Sequence, residues 1–342
     1  MSQKNETSVL VLSLFITVGL IGGGIWWFTI PKDNSNSDQS ISSPINNNSR
    51  TFAGVKNVPR GLFRSGGSTT WAPIRSSTDS AIQTVFPEFQ LVYTQPINGA
   101  PGSGKGIEML LDNQLSFSQS SRSINESERE KAKSLGIKLK EIPVAIDAIA
   151  IAVNPNQNIP GLTISQVKDI YTGKITNWQE VGGKNEPIIP YTRRLEEGGT
   201  VEFFNKNVMN GESFGSNIKY IPTTTQALRE VFNNPGAIYY ASAPEVVPQC
   251  GIKALPIANQ PNQFVSPYNP PLVTASRCSQ ERNKLNSEAF QRGQYPITRR
   301  LFIIINEKNS TDKQAGETYA NLLLTEQGQD LIEKAGFVKI KY

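Results

Sequence analysis

Histidine is absent from the 342 residues of this chain. That absence removes the Ser-His-Asp and Cys-His relays, the HExxH zinc site, and any side chain whose unperturbed titration falls near neutral pH. Cysteine is scarce: Cys250 and Cys278 are the only two, too few for a four-thiolate zinc site or an iron–sulfur cluster. No cofactor is expected from such a composition. No alanine precedes Ala53, so the small-residue cleavage site of an export signal is missing. No block of Lys and Arg interleaved with aromatic residues occurs, and nucleic acid is not an expected partner. The balance of 34 Lys+Arg against 29 Asp+Glu gives +5. Charges in residues 1–50 cancel, so the excess sits on the remainder, where it is compatible with an anionic ligand or surface.

What the chain does have begins with residues 9–30, a run of 22 residues without a charge. At about 1.5 Å per residue this is long enough to cross a bilayer core. Trp26 and Trp27 at its end suit the headgroup interface, and no cysteine nearby is available for a lipid. The reading is a short segment 1–8, a single transmembrane anchor 9–30, and an extracytoplasmic domain beyond it; a cleaved signal peptide is the alternative. Residues 31–50 hold six Ser and five Asn, a composition that cannot bury enough apolar surface to fold, and form a tether. In an oxidising compartment a Cys250–Cys278 disulfide would restrain the Pro-rich segment between them, by about 3–4 kcal/mol in the chain-entropy model.

Over residues 51–342 short apolar runs alternate with amphipathic stretches. Strands are expected at 61–64, 89–95, 115–118, 144–153, 188–191, 237–240 and 298–305, several apolar throughout and suited to central positions. Thr163 and Gln166 form a capping box ahead of Val167, Ile170 and Tyr171, with Gly173 placed to end that helix. Tyr319, Leu322 and Leu323 line one later helix; Leu331, Ile332 and Ala335 line another that stops at Gly336. The alternation predicts an α/β fold with mainly parallel sheets.

Small hydroxyl residues and glycines recur after strands and at helix starts. Gly66, Gly67, Ser68, Thr69 and Thr70 follow one strand, Gly102, Ser103 and Gly104 a second, and Ser120, Ser121 and Arg122 a third. Arg193 and Arg194, then Gly198, Gly199 and Thr200, lead into a fourth helix. Helix amino ends offer unpaired N–H groups, glycine permits close approach, and hydroxyls add donors, so converging turns of this kind would hold a tetrahedral anion. A competing reading is a nucleotide-binding loop, because residues 99–105 match GxxxxGK. The Ser/Thr that would follow as magnesium ligand is missing.

These blocks resemble the phosphate-binding proteins of ABC importers, within the type II periplasmic solute-binding superfamily. The likeness rests on the turn at 67–70, PGSGKG at 101–106, SSR at 120–122, IPVAIDAIAIAVNP at 142–155, LTISQVKDIYTGKITNWQEVGG at 162–183, GGTVEFF at 198–204 and EQGQDLIEKAGF at 326–337. It implies a two-lobed α/β domain with a ligand cleft, lobe I from about 51–145 plus 243–342 and lobe II from about 146–242. It also implies phosphate or a related oxyanion as ligand and a membrane permease as partner. The ligand set so implied is Ser68, Thr69, Thr70, Ser103, Gly104, Ser121, Arg122, one of Arg193 and Arg194, Gly198, Gly199 and Thr200. Ser121 stands where classical members carry the aspartate that accepts the proton of hydrogen phosphate, and Glu196 and Gly198 replace the usual acidic and serine positions. Loss of that aspartate leaves phosphate against sulfate open.

The remaining notable residues have structural readings. Asp147, inside an apolar strand, is expected at the lobe crossover and hydrogen-bonded, since an unpaired buried charge is costly. Trp178 is expected in the core, and Arg299 and Arg300 at a solvated strand end, with a role in the cleft as the alternative. Glu196 and Glu197 fail as an acid/base dyad because neighbours on an extended segment project apart. The sequence thus points to an oxyanion-binding protein without catalytic activity; a sensor or interaction module on the same fold and a phosphoester hydrolase are the alternatives.

Overall fold

In the computed structural model, residues 49–195, 198–278 and 280–340 are described. The anchor at 9–30, most of the tether, and Glu196 and Glu197 lie outside them. Among the described residues no helix is long and apolar enough to cross a membrane.

Each expected strand forms, with ends shifted by a few residues. β1 (Gly61–Gly67), β2 (Phe89–Tyr93) and β3 (Phe117–Ser120) precede the longest strand, β4 (Leu139–Val153). After the two-residue β5 (Leu162–Thr163) come β6 (Ile189–Thr192), β7 (Lys219–Tyr220) and β8 (Ala237–Ser242). Short β9 (Lys253–Leu255) and β10 (Ile257–Ala258) lead to β11 (Thr298–Asn306). The strand order is β2-β1-β3-β11-β4-β8-β6-β7, with β9 also on β4. β1, β2 and β3 are mutually parallel, as are β6, β7 and β8.

The expectation of mainly parallel sheets needs correction at the centre. β11 runs antiparallel to β3 and β4, and β4 antiparallel to β8 and β9. The cause is topological. β4 carries the chain out of one body and β11 brings it back, so two adjacent crossing strands must oppose. A register shift between Leu301 and Phe302 skips Val144, beside Pro143, whose ring nitrogen has no hydrogen to give the ladder.

Two cores flank the crossing. One gathers Phe63, Trp71, Phe89, Phe117, Val144, Leu301, Ile303 and Tyr319. The second gathers Ile149, Ile151, Val153, Tyr171, Trp178, Phe204, Ile238 and Tyr240. A smaller cluster with Ile107, Leu110 and Ile304 covers the opposite face of β11, since Ile303 and Ile304 project to opposite sides. On the way out the cores change between Ala145 and Ala148. The return differs from the expected 242/243 boundary: Ile252, Leu255, Phe290, Tyr295 and Ile297 join the second core, so we place it at the start of β11. Within 243–297 the strands are β9 and β10, which pair with β4 and β5 of the second body, and this segment therefore has no sheet of the first lobe to join. A Cys250–Cys278 disulfide closes the Pro-rich segment.

The helices follow from their caps and faces. α1 (Ala72–Val85), α2 (Ser103–Leu111) and α3 (Glu126–Ser134) belong to the first lobe. α4 (Ile164–Tyr171) starts at Thr163, whose side chain accepts from the Gln166 amide at 3.1 Å while Gln166 returns the bond at 2.9 Å. Gly173, at φ +80°, stands just past its end. Thr163→Ala is expected to lower the unfolding free energy by about 1 kcal/mol, the usual value of such a cap; a urea-denaturation midpoint unchanged from the parent would contradict it. α5 (Gly199–Asn207), α6 (Thr224–Asn233), α7 (Ala243–Val246) and α8 (Ser287–Gln291) follow, and α9 (Ser310–Leu323) and α10 (Glu326–Lys334) close the chain.

Candidate functional site

All four hydroxyl-rich turns meet where the bodies face each other. Gly67 sits at φ +118°, and an added Cβ would lie 2.4 Å from the Gln119 carbonyl oxygen; only glycine lets β1 turn this close to β3. The turn then delivers Ser68, Thr69 and Thr70. Ser68 Oγ donates to Ser121 Oγ at 3.0 Å, and the Ser121 amide donates to Ser103 Oγ at 3.0 Å. The first turn of α5 abuts this cluster: a Cβ at Gly199 would approach Ser103 Oγ to 2.4 Å and Ser121 Oγ to 2.5 Å. Thr70 Oγ1 and Thr200 Oγ1 face each other across the bodies at 3.5 Å.

Beside this junction lies a cavity of about 80 Å³. Its wall comprises Thr69, Thr70, Arg193, Thr200, Val201, Thr224, Tyr239, Tyr240 and Glu245. Thr69, Thr70, Arg193 and Thr200 were expected at the ligand. Ser68, Ser103, Ser121 and Gly199 are buried and do not line the cavity. Gly198 packs against the Arg193 guanidinium, where an added Cβ would sit 3.3 Å from Nη1.

Three expected residues face elsewhere. Arg122 holds Glu128 through two bonds of 2.9 and 2.8 Å and also pairs with Glu202 of α5. Burial works against its charge, but Glu128 and then Glu202 more than offset that and hold its pKa above the ordinary arginine value. Because Glu202 lies on the second body and Arg122 on the first, the pair joins the two across the cleft. Gly104 backs the Arg122 guanidinium. Arg194 lies over the half-exposed Tyr220 ring, 5.1 Å from its centroid, outside the cavity wall.

Arg299 is the largest departure. Expected at a solvated strand end, it is buried, its side chain 1% exposed against 0% for Asp147, and the two pair at 2.8 Å. Register explains this, since β11 places Arg299 directly opposite Asp147 of β4. Asp147 is also fully engaged, accepting from Ser242 Oγ at 2.6 Å and from the Ala148 amide at 2.9 Å. Arg299 then spans the bodies, donating to Thr200 Oγ1 at 2.9 Å, Thr70 Oγ1 at 3.3 Å and the Gly199 carbonyl at 3.3 Å. A detectable signal existed: the acid inside one apolar run and the arginine at the start of another are each costly when buried alone and inexpensive as a pair. Glu245, in the short α7, carried no such signal.

The nucleotide-loop reading finds no support in the geometry. Lys105 lies within the first turn of α2 and pairs with Glu108 at 2.9 Å on the surface. Among the described residues no group of His, Cys, Asp and Glu is arranged to hold a metal ion.

A family model described as the PBP superfamily domain matches residues 44–327. Phosphate-binding protein PstS of Staphylococcus epidermidis is 26% identical over 281 residues, covering 82% of this chain and 79% of that one. The PstS of Staphylococcus saprophyticus is 26% identical over 247 residues, 71% and 70% of the two chains. Among solved structures, a candidate phosphate ABC transporter substrate-binding protein from Clostridium perfringens, holding phosphate, aligns at 25% identity with a TM-score of 0.65. It covers 82% of this chain and 100% of its own. An ABC-type phosphate transport receptor from Vibrio cholerae shares the fold at 24% identity and a TM-score of 0.62, over 81% of this chain and 100% of that one.

Proposed function

Because this chain belongs to the PBP superfamily, we propose that its cleft binds inorganic phosphate and presents it to an ABC-type importer, without a catalytic step. The observation that carries this reading is the cavity itself. Four threonine hydroxyls and Arg193 line it beside the first turn of α5 and supply donors and positive charge, with Val201 and the rings of Tyr239 and Tyr240 as its apolar part. At about 80 Å³ it falls well below the roughly 300–1,000 Å³ of pockets for drug-sized ligands. A small inorganic ion suits that volume; a nucleotide does not.

In this reading Thr69, Thr70, Thr200 and Arg193 touch the anion, with Ser68, Ser103, Ser121 and Gly199 supporting them. Helix-terminal amides stabilise negative charge and hydroxyls donate without adding a counter-charge. The arginine then supplies the only cationic partner on the cavity wall among the described residues. Arg122 has a different part: by holding Glu202 it favours the closed arrangement. The domain is placed on the extracytoplasmic side, tethered through 31–50 to a span at 9–30, and the disulfide fits an oxidising compartment.

The test is a thermal-shift series on the full-length protein with phosphate, sulfate, nitrate and ATP, since a ligand that binds only the folded state raises its melting temperature by mass action. Phosphate is expected to raise it and ATP to leave it unchanged, with no phosphate released from ATP. Stabilisation by none of the anions, or metal-dependent ATP turnover, would reject the reading.

A further inference from the structure

Arg299 stands outside the cavity wall, yet its guanidinium holds two of the hydroxyls that form it. Nη2 lies 2.9 Å from Thr200 Oγ1 and 3.3 Å from Thr70 Oγ1, and Nη1 lies 3.3 Å from the Gly199 carbonyl. The rest of the group faces Asp147, at 2.9 Å from Nε and 2.8 Å from Nη2. We propose that Arg299 is a positioning residue of the anion site: it fixes Thr70 and Thr200 as hydrogen-bond donors toward the ligand, and does so when the two bodies meet. The inference rests on the phosphate reading above and deepens it, because Arg299 acts through the threonines without touching the anion.

A threonine hydroxyl gives one hydrogen and accepts on two lone pairs, whereas a guanidinium only gives. Each threonine oxygen that accepts from Arg299 therefore keeps its own hydrogen for another acceptor. The two hydroxyls face each other at 3.5 Å, near the outer limit of a hydrogen bond, so that contact competes weakly. An anion oxygen in the cavity is the better acceptor, since bonds to an ionised group are shorter and stronger than neutral ones. A side chain that accepted at position 299 would draw the hydrogens away and turn the hydroxyl lone pairs on the anion.

Net charge is not what Arg299 contributes. Asp147 balances it within the buried pair, and the wall already carries Arg193. The contribution is direction, and it draws on both bodies. Thr70 follows β1 of the first and Thr200 lies in the first turn of α5 in the second, so one nitrogen reaches both oxygens in the closed arrangement. The Gly199 carbonyl, held by the same guanidinium, sets that first turn of α5 against the cavity.

Calorimetric titration of the full-length protein with phosphate, beside its urea-denaturation midpoint, is the test. The double variant Arg299→Met, Asp147→Leu leaves no buried charge and regains much of the stability lost in Arg299→Ala, but nothing in it directs the hydroxyls. Its phosphate affinity is expected to fall about tenfold or more, the scale of two net hydrogen bonds. Thr200→Val is expected to cost the parent about fivefold and the double variant less than about twofold, because there the hydroxyl is already undirected. Arg299→Lys keeps a cation beside Asp147, but its single nitrogen cannot span Asp147, both threonines and the Gly199 carbonyl; it is expected to bind phosphate about threefold or more weakly. A folded double variant with parental affinity overturns the proposal, and so do equal Thr200→Val losses in the two backgrounds, which would leave Arg299 a structural role alone. Should the double variant not fold, parental affinity in Arg299→Lys overturns it instead. In each case phosphate binding by the parent stands. A parent that binds no phosphate removes the phosphate reading together with this inference.

Discussion

Arg299→Ala is expected to lower the unfolding free energy by about 3–5 kcal/mol, the cost of leaving one partner of a buried ion pair uncompensated. Asp147 would keep Ser242 and the Ala148 amide as donors but lose its counter-charge in a strand buried on both faces. The loss also frees Thr70, Thr200 and the Gly199 carbonyl, which connect the two bodies. Urea denaturation measures it, as a shifted midpoint at unchanged slope. The double variant Arg299→Met, Asp147→Leu should recover much of the loss, because an apolar pair of similar volume leaves no charge in the core. A loss below about 1 kcal/mol in the single variant would show that solvent reaches Asp147 and that the ion pair holds little together.

Arg193→Ala is expected to weaken phosphate binding by about 2–4 kcal/mol, the range for losing one partner of a buried charged contact. In affinity this is about 30- to 1,000-fold. Neutral donors solvate a dianion but cannot offset its charge, so a guanidinium on the wall contributes disproportionately. Arg194→Ala should stay within about 0.5 kcal/mol, since its guanidinium lies on exposed Tyr220 and surface substitutions of this kind have small effects. Calorimetric titration of the two variants side by side is the measurement. If the large loss falls on Arg194, the cavity described here is not the anion site.

The two arginines also mark where the sequence stops being informative. They are adjacent and of one type, seven and six residues before Thr200; the direction of the backbone after β6 decides which one faces inward. The pairing of Asp147 with Arg299 depends on register between strands 152 residues apart, so neither residue reveals its partner locally. Arg122 was legible as a basic residue in a hydroxyl-rich turn, yet Glu128 and Glu202 occupy its guanidinium. Glu245 sits in a four-residue helix with no pattern around it.

The sequence by itself determined what depends on neighbours along the chain. Apolar runs became the strands, because a continuously apolar segment is stable only when covered on both faces. The Thr163–Gln166 box and Gly173 bounded α4, because capping needs only residues a turn apart. The four hydroxyl-rich turns were locatable for the same local reason, and they are the ones the proposed phosphate reading draws on. Tertiary structure alone decided the antiparallel centre of the sheet, the joining of 243–297 to the second core, and the side chains that wall the cavity. Those outcomes depend on strand register and on competition between distant charges for the same partner, and both are settled only when the two bodies pack.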